Sequence, residues 1–99
     1  MKIQEDMRGD ELVVSLAGSL DDMTSRGLED QLDKLLSTEK PFLRFDLAKV
    51  EYISSTGIRV LILAHKKAVK QGKKVLLGEM SDKVHGVFDM LGILPLFKK

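Results

Sequence analysis

The sequence predicts an α/β domain, and three observations support this fold class. Segments that alternate apolar and polar residues, as strands do, occur at 1–7, 12–17 and 42–47. Turn-forming residues at 8–11 join the first two segments into a hairpin, and apolar residues recur at helical spacing farther along the chain. The predicted order is ββαβαβα with an optional final strand. It gives a mixed sheet of four to five strands and about three helices, with an antiparallel N-terminal hairpin and mostly parallel strands after it.

The first helix is predicted between the hairpin and the strand at 42–47. Four leucines form one stripe of an amphipathic helix: Leu28, Leu32, Leu35 and Leu36. Asp21, Asp22 and Thr24 are candidate caps for its start. We expect the helix to end before Pro41, because the residue before a proline disfavours the helical conformation.

The second helix follows a run of hydroxyl residues, Ser54, Ser55 and Thr56, which precedes Gly57. One-face spacing resumes directly after the run, at Ile58, Leu61 and Ile62. Hydroxyls on the first turn of a helix lie where backbone N–H groups lack partners and the dipole end is positive, so the position favours an anion such as an added phosphate. The local pattern leaves two interpretations open: helix capping alone, or a phosphorylation switch.

The last third of the chain predicts a short buried strand at 75–77, a third helix capped by Ser81 or Asp82, and an apolar tail at 93–97. Pro95 limits that tail to an edge strand. A group of lysines near the end of the second helix is either an anion- or lipid-binding patch or a solvated complement to helix dipoles. Its members are Lys66, Lys67, Lys70, Lys73 and Lys74.

Composition narrows the function classes. The chain has 99 residues, 43% apolar and 31% charged, with a formal net charge of +1, so we expect one soluble domain without the basic excess of a nucleic-acid-binding protein. Cysteine is absent, which excludes disulfides and thiolate metal sites. Acidic residues near the N-terminus do not resemble a signal peptide, and no window reaches the roughly 18 apolar residues of a membrane span. We expect a cytoplasmic protein without membrane insertion.

A catalytic constellation is not recognisable. The chain lacks a G-x-S-x-G elbow, a Walker loop and a G-x-G-x-x-G motif, and no histidine is placed beside Ser55 by the sequence. His65 and His85 have no neighbours at metal-ligand spacing. We therefore expect neither an enzyme nor a bound metal or cofactor.

Residues 46–61 resemble the signature of the STAS domain, and in particular that of the small bacterial anti-sigma factor antagonists. The family's pattern is Asp-Leu, then a few residues, then an aromatic and an apolar residue, and then Asp-Ser-Ser/Thr/Ala-Gly-Leu. This chain has Asp46-Leu47, Tyr52-Ile53 and Ser54-Ser55-Thr56-Gly57-Ile58 in those places. Weaker matches lie at 18–21 and 88–93. Ser54 stands where the family has Asp, and Arg59 stands where it commonly has a second glycine. The resemblance implies a single STAS domain over residues 1–99.

In that family, the anti-sigma factor is also a serine/threonine kinase, which phosphorylates a serine of the motif and then releases the antagonist. The resemblance implies Ser55 as the first choice for the modified residue and Thr56 as the second. The implied partner-binding residues are Ser54, Ser55, Thr56, Gly57, Arg59, Asp21, Asp22 and Thr24. The alternative is a STAS subunit that is never phosphorylated and acts as a scaffold, for example on the cytoplasmic side of an ABC transporter.

Overall fold

A computed structural model describes residues 1–98 of the chain. It contains a four-stranded sheet, three α-helices and a short 3-10 helix. In chain order the elements are β1 (Lys2–Arg8), β2 (Glu11–Leu20), α1 (Asp22–Leu35), β3 (Phe42–Ile53), α2 (Ser55–Lys70), β4 (Lys74–Met80), α3 (Asp82–Leu91) and the 3-10 helix (Leu94–Phe97).

The strands lie in the order β1-β2-β3-β4, with β1 antiparallel to β2 and the other pairs parallel. This arrangement confirms the predicted α/β class, the hairpin and the element order. The optional fifth strand over 93–97 does not form within the described residues, where Leu94–Phe97 is a 3-10 helix instead. Pro95 sits at the start of that helix, a position where its missing N–H costs nothing.

The core lies between the three helices and one face of the sheet. On β2 and β3 the alternate residues predicted to face inward are at most 2% exposed: Leu12, Val14, Leu16, Leu43, Phe45 and Leu47. The leucine stripe of α1 is also buried to at least 99% at every position. Burial of these apolar side chains is the main stabilising contribution to the fold, and it follows the periodicities read from the sequence.

Strand β3 is about twice as long as its alternation predicts, because it continues through two irregular steps. Ser15 pairs with Asp46, but Ala17 pairs with Lys49, so β3 contains an extra residue there. The Asp46 carboxylate accepts the N–H of Ala48 at 3.0 Å and stabilises this bulge. The bulges break the period of two, so the second half of β3 cannot be recognised from alternation. Strand β3 continues through these bulges to Ile53, directly before Ser54.

The lysine group near the end of α2 is partly engaged in structural contacts. Lys73 Nζ donates to the backbone oxygens of Leu36, at 2.6 Å, and of Thr38, and so satisfies carbonyls at the end of α1. Lys67 Nζ lies 2.8 Å from the Asp33 carboxylate. Lys67 and Lys73 therefore contact α1 and the residues directly after it, and the role of the lysine group as an anion- or lipid-binding patch stays a prediction.

Candidate functional site

The first part of the site is the start of α1, which a capping box fixes. The Asp21 carboxylate accepts the Thr24 N–H at 3.0 Å, and Thr24 Oγ1 accepts the Asp21 N–H at 2.9 Å. The Thr24 hydroxyl also donates to the Ser19 carbonyl at 2.7 Å. The hydrogen bond from the Thr24 N–H is the main reason why the pKa of Asp21 is lowered. Asp21 and Thr24 therefore hold the helix, whereas Asp22 is exposed to solvent.

The second part is the start of α2, where Ser54 is the N-cap. Its Oγ accepts the Gly57 N–H at 3.1 Å, and its own backbone N–H donates to the Leu20 carbonyl at 2.9 Å. An Asp at this position would supply the same acceptor, since Asp and Ser are about equally good caps. Ser54 thus performs a structural task that the family's aspartate is also suited to perform.

Gly57 lies in direct contact with the end of β2. A Cβ added at this position would lie 2.9 Å from both Leu20 Cγ and the Leu20 carbonyl oxygen, and 3.1 Å from Ile53 Cγ1. There is no space for a side chain. The glycine is required by this close approach, which seats the first turn of α2 on the end of the sheet.

Ser55 is the first residue of α2, and its side chain is exposed. Within residues 1–98, its hydroxyl has no hydrogen-bond partner. Thr56 follows it and is half-buried. The first turn of α2 contains no acidic residue, so the positive end of the helix dipole is not offset by a carboxylate of its own turn. The arrangement presents a free hydroxyl where an added negative charge would be stabilised.

Arg59 lies one turn farther along α2 and connects this helix to α1. Its Nη2 is 3.0 Å from the Glu29 carboxylate, and the two side chains are 58% and 35% exposed. The pair lies near the surface, where such ion pairs are weak and sensitive to salt. Arg59 is therefore neither buried nor free in this state.

Two residues outside the predicted partner-binding set complete the surface around Ser54. Met23 is 84% exposed and Tyr52 is 49% exposed, and together with Asp21, Asp22 and Ser54 they line a shallow depression. Met23 carries a sequence signal, because it is an apolar residue outside the leucine stripe of its helix. Tyr52 is the aromatic residue of the signature motif, but its exposure is not readable from the sequence, because the bulges in β3 decide which way it faces.

Residues 3–96 match the family profile described as "Mlab, STAS domain". The chain belongs to the STAS domain family. The anti-sigma-B factor antagonist of Bacillus subtilis (strain 168) is a similar protein, 30% identical over 95 residues, which cover 94% of this chain and 86% of the relative.

Solved STAS structures share the fold. The unphosphorylated form of the anti-sigma factor antagonist SpoIIAA superposes with a TM-score of 0.82 at 16% identity, covering 96% of this chain and 84% of SpoIIAA. The phosphorylated form of the Bacillus cell fate determinant SpoIIAA gives a TM-score of 0.74 at 15% identity, covering 96% of this chain and 87% of that one. These likenesses agree with the four-stranded mixed sheet and three helices described above.

The STAS fold brings the predicted site residues together at one end of the sheet. The Ser54 N–H bonds the carbonyl of Leu20, the residue directly before Asp21, so the starts of α1 and α2 are neighbours. Within residues 1–98, no cluster of three or more His, Cys, Asp or Glu side chains has a metal-binding arrangement. In the same part of the chain, no helix has the length and apolar character needed to cross a membrane. The functional roles of the site residues stay predictions.

Proposed function

We propose that this STAS domain is a cytoplasmic anti-sigma factor antagonist. It binds a cognate anti-sigma factor that has serine/threonine kinase activity, and it is released when that kinase phosphorylates Ser55, with Thr56 as the second choice. Binding sequesters the anti-sigma factor, and transcription by the sigma factor proceeds as a result. The relative named anti-sigma-B factor antagonist, and the existence of a phosphorylated form of SpoIIAA, support this proposal.

The observation that carries the proposal is that the hydroxyls of Ser54 and Ser55 have different surroundings. Ser54 caps α2, whereas the exposed Ser55 hydroxyl makes no hydrogen bond within the described residues. A kinase can therefore reach Ser55 without displacing the group that holds the helix. The positive end of the α2 dipole, which no carboxylate of the first turn offsets, favours the product anion, so we expect phosphorylation to leave the fold intact.

The partner surface consists of the depression beside Ser54 together with the first turn of α2. Met23 and Tyr52 supply apolar area, and Asp21 and Asp22 supply negative charge. Exposed aromatic and methionine side chains are frequent anchors at protein interfaces. A complementary partner carries apolar and cationic groups here, and a neutral contact over Ser55.

Phosphorylation adds roughly −1.5 to −2 charge at Ser55 and enlarges the side chain. Where the partner packs against a neutral hydroxyl, the phosphoryl group introduces a steric and desolvation cost. A loss of about 1.4 kcal/mol weakens binding tenfold. One modification is thus sufficient to separate the complex, and no rearrangement of the STAS domain is needed.

The test uses the anti-sigma kinase encoded nearest the gene, with ATP or ADP, and follows mass and complex formation. We expect a complex in ADP, one added phosphate in ATP, and dissociation after the addition. Ser55→Ala should stay unmodified and bound, and Thr56→Ala should still be modified. Modification lost only in Thr56→Ala would move the acceptor to Thr56.

Absence of both a complex and a phosphate would contradict the proposal. The scaffold role would instead be identified if an ABC-type ATPase copurified with the protein and the Ser55→Ala/Thr56→Ala double variant remained functional.

A further inference from the structure

The residue that distinguishes this chain at the end of its motif is Arg59, and its position relative to Ser55 is informative. The two residues are four positions apart on α2, so they are neighbours on one side of the helix, with Cβ atoms about 5–6 Å apart. Both side chains are exposed. An anion at the N-terminal position and a cation at the C-terminal position is also the more favourable order for such a pair.

In the unmodified protein the Arg59 guanidinium is held by Glu29 of α1 through a single contact of 3.0 Å. The contact is exposed and has one donor and one acceptor atom, so water and salt compete with it effectively. A phosphoryl group offers three oxygens and up to two negative charges, which a guanidinium binds bidentately. The phosphoryl group is the stronger partner for Arg59.

We infer that phosphorylation of Ser55 transfers Arg59 from Glu29 to the phosphoryl group, which opens one of the ion pairs between α1 and α2 and leaves the Lys67–Asp33 pair in place. The inference rests on the proposed function, since it concerns the state that the kinase produces. Arg59 is three positions from Thr56, so the same exchange is available to a phosphate on the second-choice acceptor.

The exchange changes the charge of the surface on both helices. Before modification, the group Arg59, Glu29 and Ser55 has a formal charge of zero; after it, the phosphate adds roughly −1.5 to −2. The Glu29 carboxylate is left without its cation. Glu29 lies seven residues after Asp22, two turns along the same side of α1. Arg26 lies between Asp22 and Glu29 on that side of α1, so the added negative charge is confined to Ser55 and the released Glu29 carboxylate.

The test installs phosphoserine at position 55 by genetic code expansion, so that no kinase is needed. The second pKa of the phosphate, about 6 for a free phosphoserine, is followed by phosphorus NMR. We expect Arg59→Gln to raise this pKa by about 0.3 pH unit relative to the parent, the size expected for one exposed pair at this spacing. The matched control is Lys70→Gln, an equal charge change about 22 Å along the same helix, which should leave the pKa unchanged.

The exchange itself is tested by repeating Arg59→Gln in a Glu29→Gln background. Without the competing carboxylate, Arg59 is fully available, so its removal should raise the phosphate pKa by more than in the parent. If Arg59→Gln raises the phosphate pKa equally in both backgrounds, Arg59 stabilises the phosphate without leaving Glu29, and the exchange is overturned. No rise in either background overturns it as well.

These outcomes can be distinguished from those of the kinase test. A protein that no anti-sigma kinase modifies, but whose installed phosphate depends on Arg59 and Glu29 as described, disproves the first proposal and supports the second.

Discussion

Ser54 and Ser55 are adjacent in the chain but differ in what their hydroxyls contact. Ser54 Oγ accepts a backbone N–H, whereas the Ser55 hydroxyl faces solvent. Ser54→Ala should therefore reduce the free energy of unfolding by about 1 kcal/mol, the usual worth of an N-cap. Ser54→Asp should retain the wild-type value, because an aspartate caps equally well.

Urea unfolding measures this difference, with Ser55→Ala as the control. We expect the control to stay within about 0.5 kcal/mol of the wild type, as exposed substitutions do. If both alanine variants lose the same amount, the cap is not assigned to the correct serine.

Gly57 and Gly27 are both helical glycines, but their surroundings are opposite. An added Cβ at Gly57 meets Leu20 at 2.9 Å, whereas at Gly27 it meets nothing within 4 Å. Gly57→Ala should destabilise the protein by about 1–3 kcal/mol through overpacking. Gly27→Ala should stabilise it by about 0.4–1 kcal/mol, because alanine loses less backbone entropy in a helix.

Thermal unfolding of the two glycine variants measures both changes in stability, which should have opposite signs. Destabilisation by Gly27→Ala would show that α1 needs a glycine for a reason other than space.

At the scale of elements, α2 and the 3-10 helix meet at a histidine that should make stability depend on pH. The His65 ring packs edge-on against Phe97 with centroids 5.9 Å apart, and within the described residues its buried Nδ1 has no hydrogen-bond partner. Burial lowers the pKa of His65 below its ordinary 6.5, and Lys74 and Lys66 lower it further.

Because the unfolded chain binds a proton near pH 6.5 that the folded protein disfavours, the free energy of unfolding should fall as pH decreases below 6.5. The stability that the neutral His65 contributes is fully present above that pH. The pKa of Asp21 is lowered from 3.8, so this carboxylate changes the free energy of unfolding only at more acidic pH. Urea unfolding at pH 7.5 and 5.5 should show the loss in the wild type and a smaller loss in His65→Phe. His85→Gln, at an exposed histidine, should behave as the wild type.

The sequence predicts those elements whose periodicity is undisturbed. The leucines of α1 and the inward residues of the first half of β3 are buried as their spacing requires. The second half of β3 is not recognisable, because two extra residues are accommodated by pairing with β2, which is a non-local contact. The same limitation applies to the site. The hydroxyl turn is readable from its motif, but the Arg59–Glu29 pair joins residues 30 positions apart.

At the scale of the whole molecule, exposed apolar residues fall at separate places on the surface, which provides a matched comparison. Met23 and Tyr52 flank the proposed partner surface, whereas Met90 lies on α3 and is 80% exposed. Met23→Ala or Tyr52→Ala should weaken binding of the anti-sigma factor at least tenfold, about 1.4 kcal/mol. Met90→Ala removes an equally exposed side chain and should leave binding unchanged.

Titration calorimetry with the unphosphorylated protein gives these affinities, and urea unfolding verifies that each variant is folded. Equal losses for Met23→Ala and Met90→Ala would place the partner elsewhere or over a larger area.

The contact between Gly57 and Leu20 has a kinetic consequence for recognition. Because Gly57 of α2 packs directly against Leu20 at the end of β2, and α1 begins directly after that strand, the two helix starts keep a fixed separation. A partner then meets a preformed rigid body, and each productive encounter completes in one step without conformational search. Association should follow a single exponential whose rate rises linearly with partner concentration.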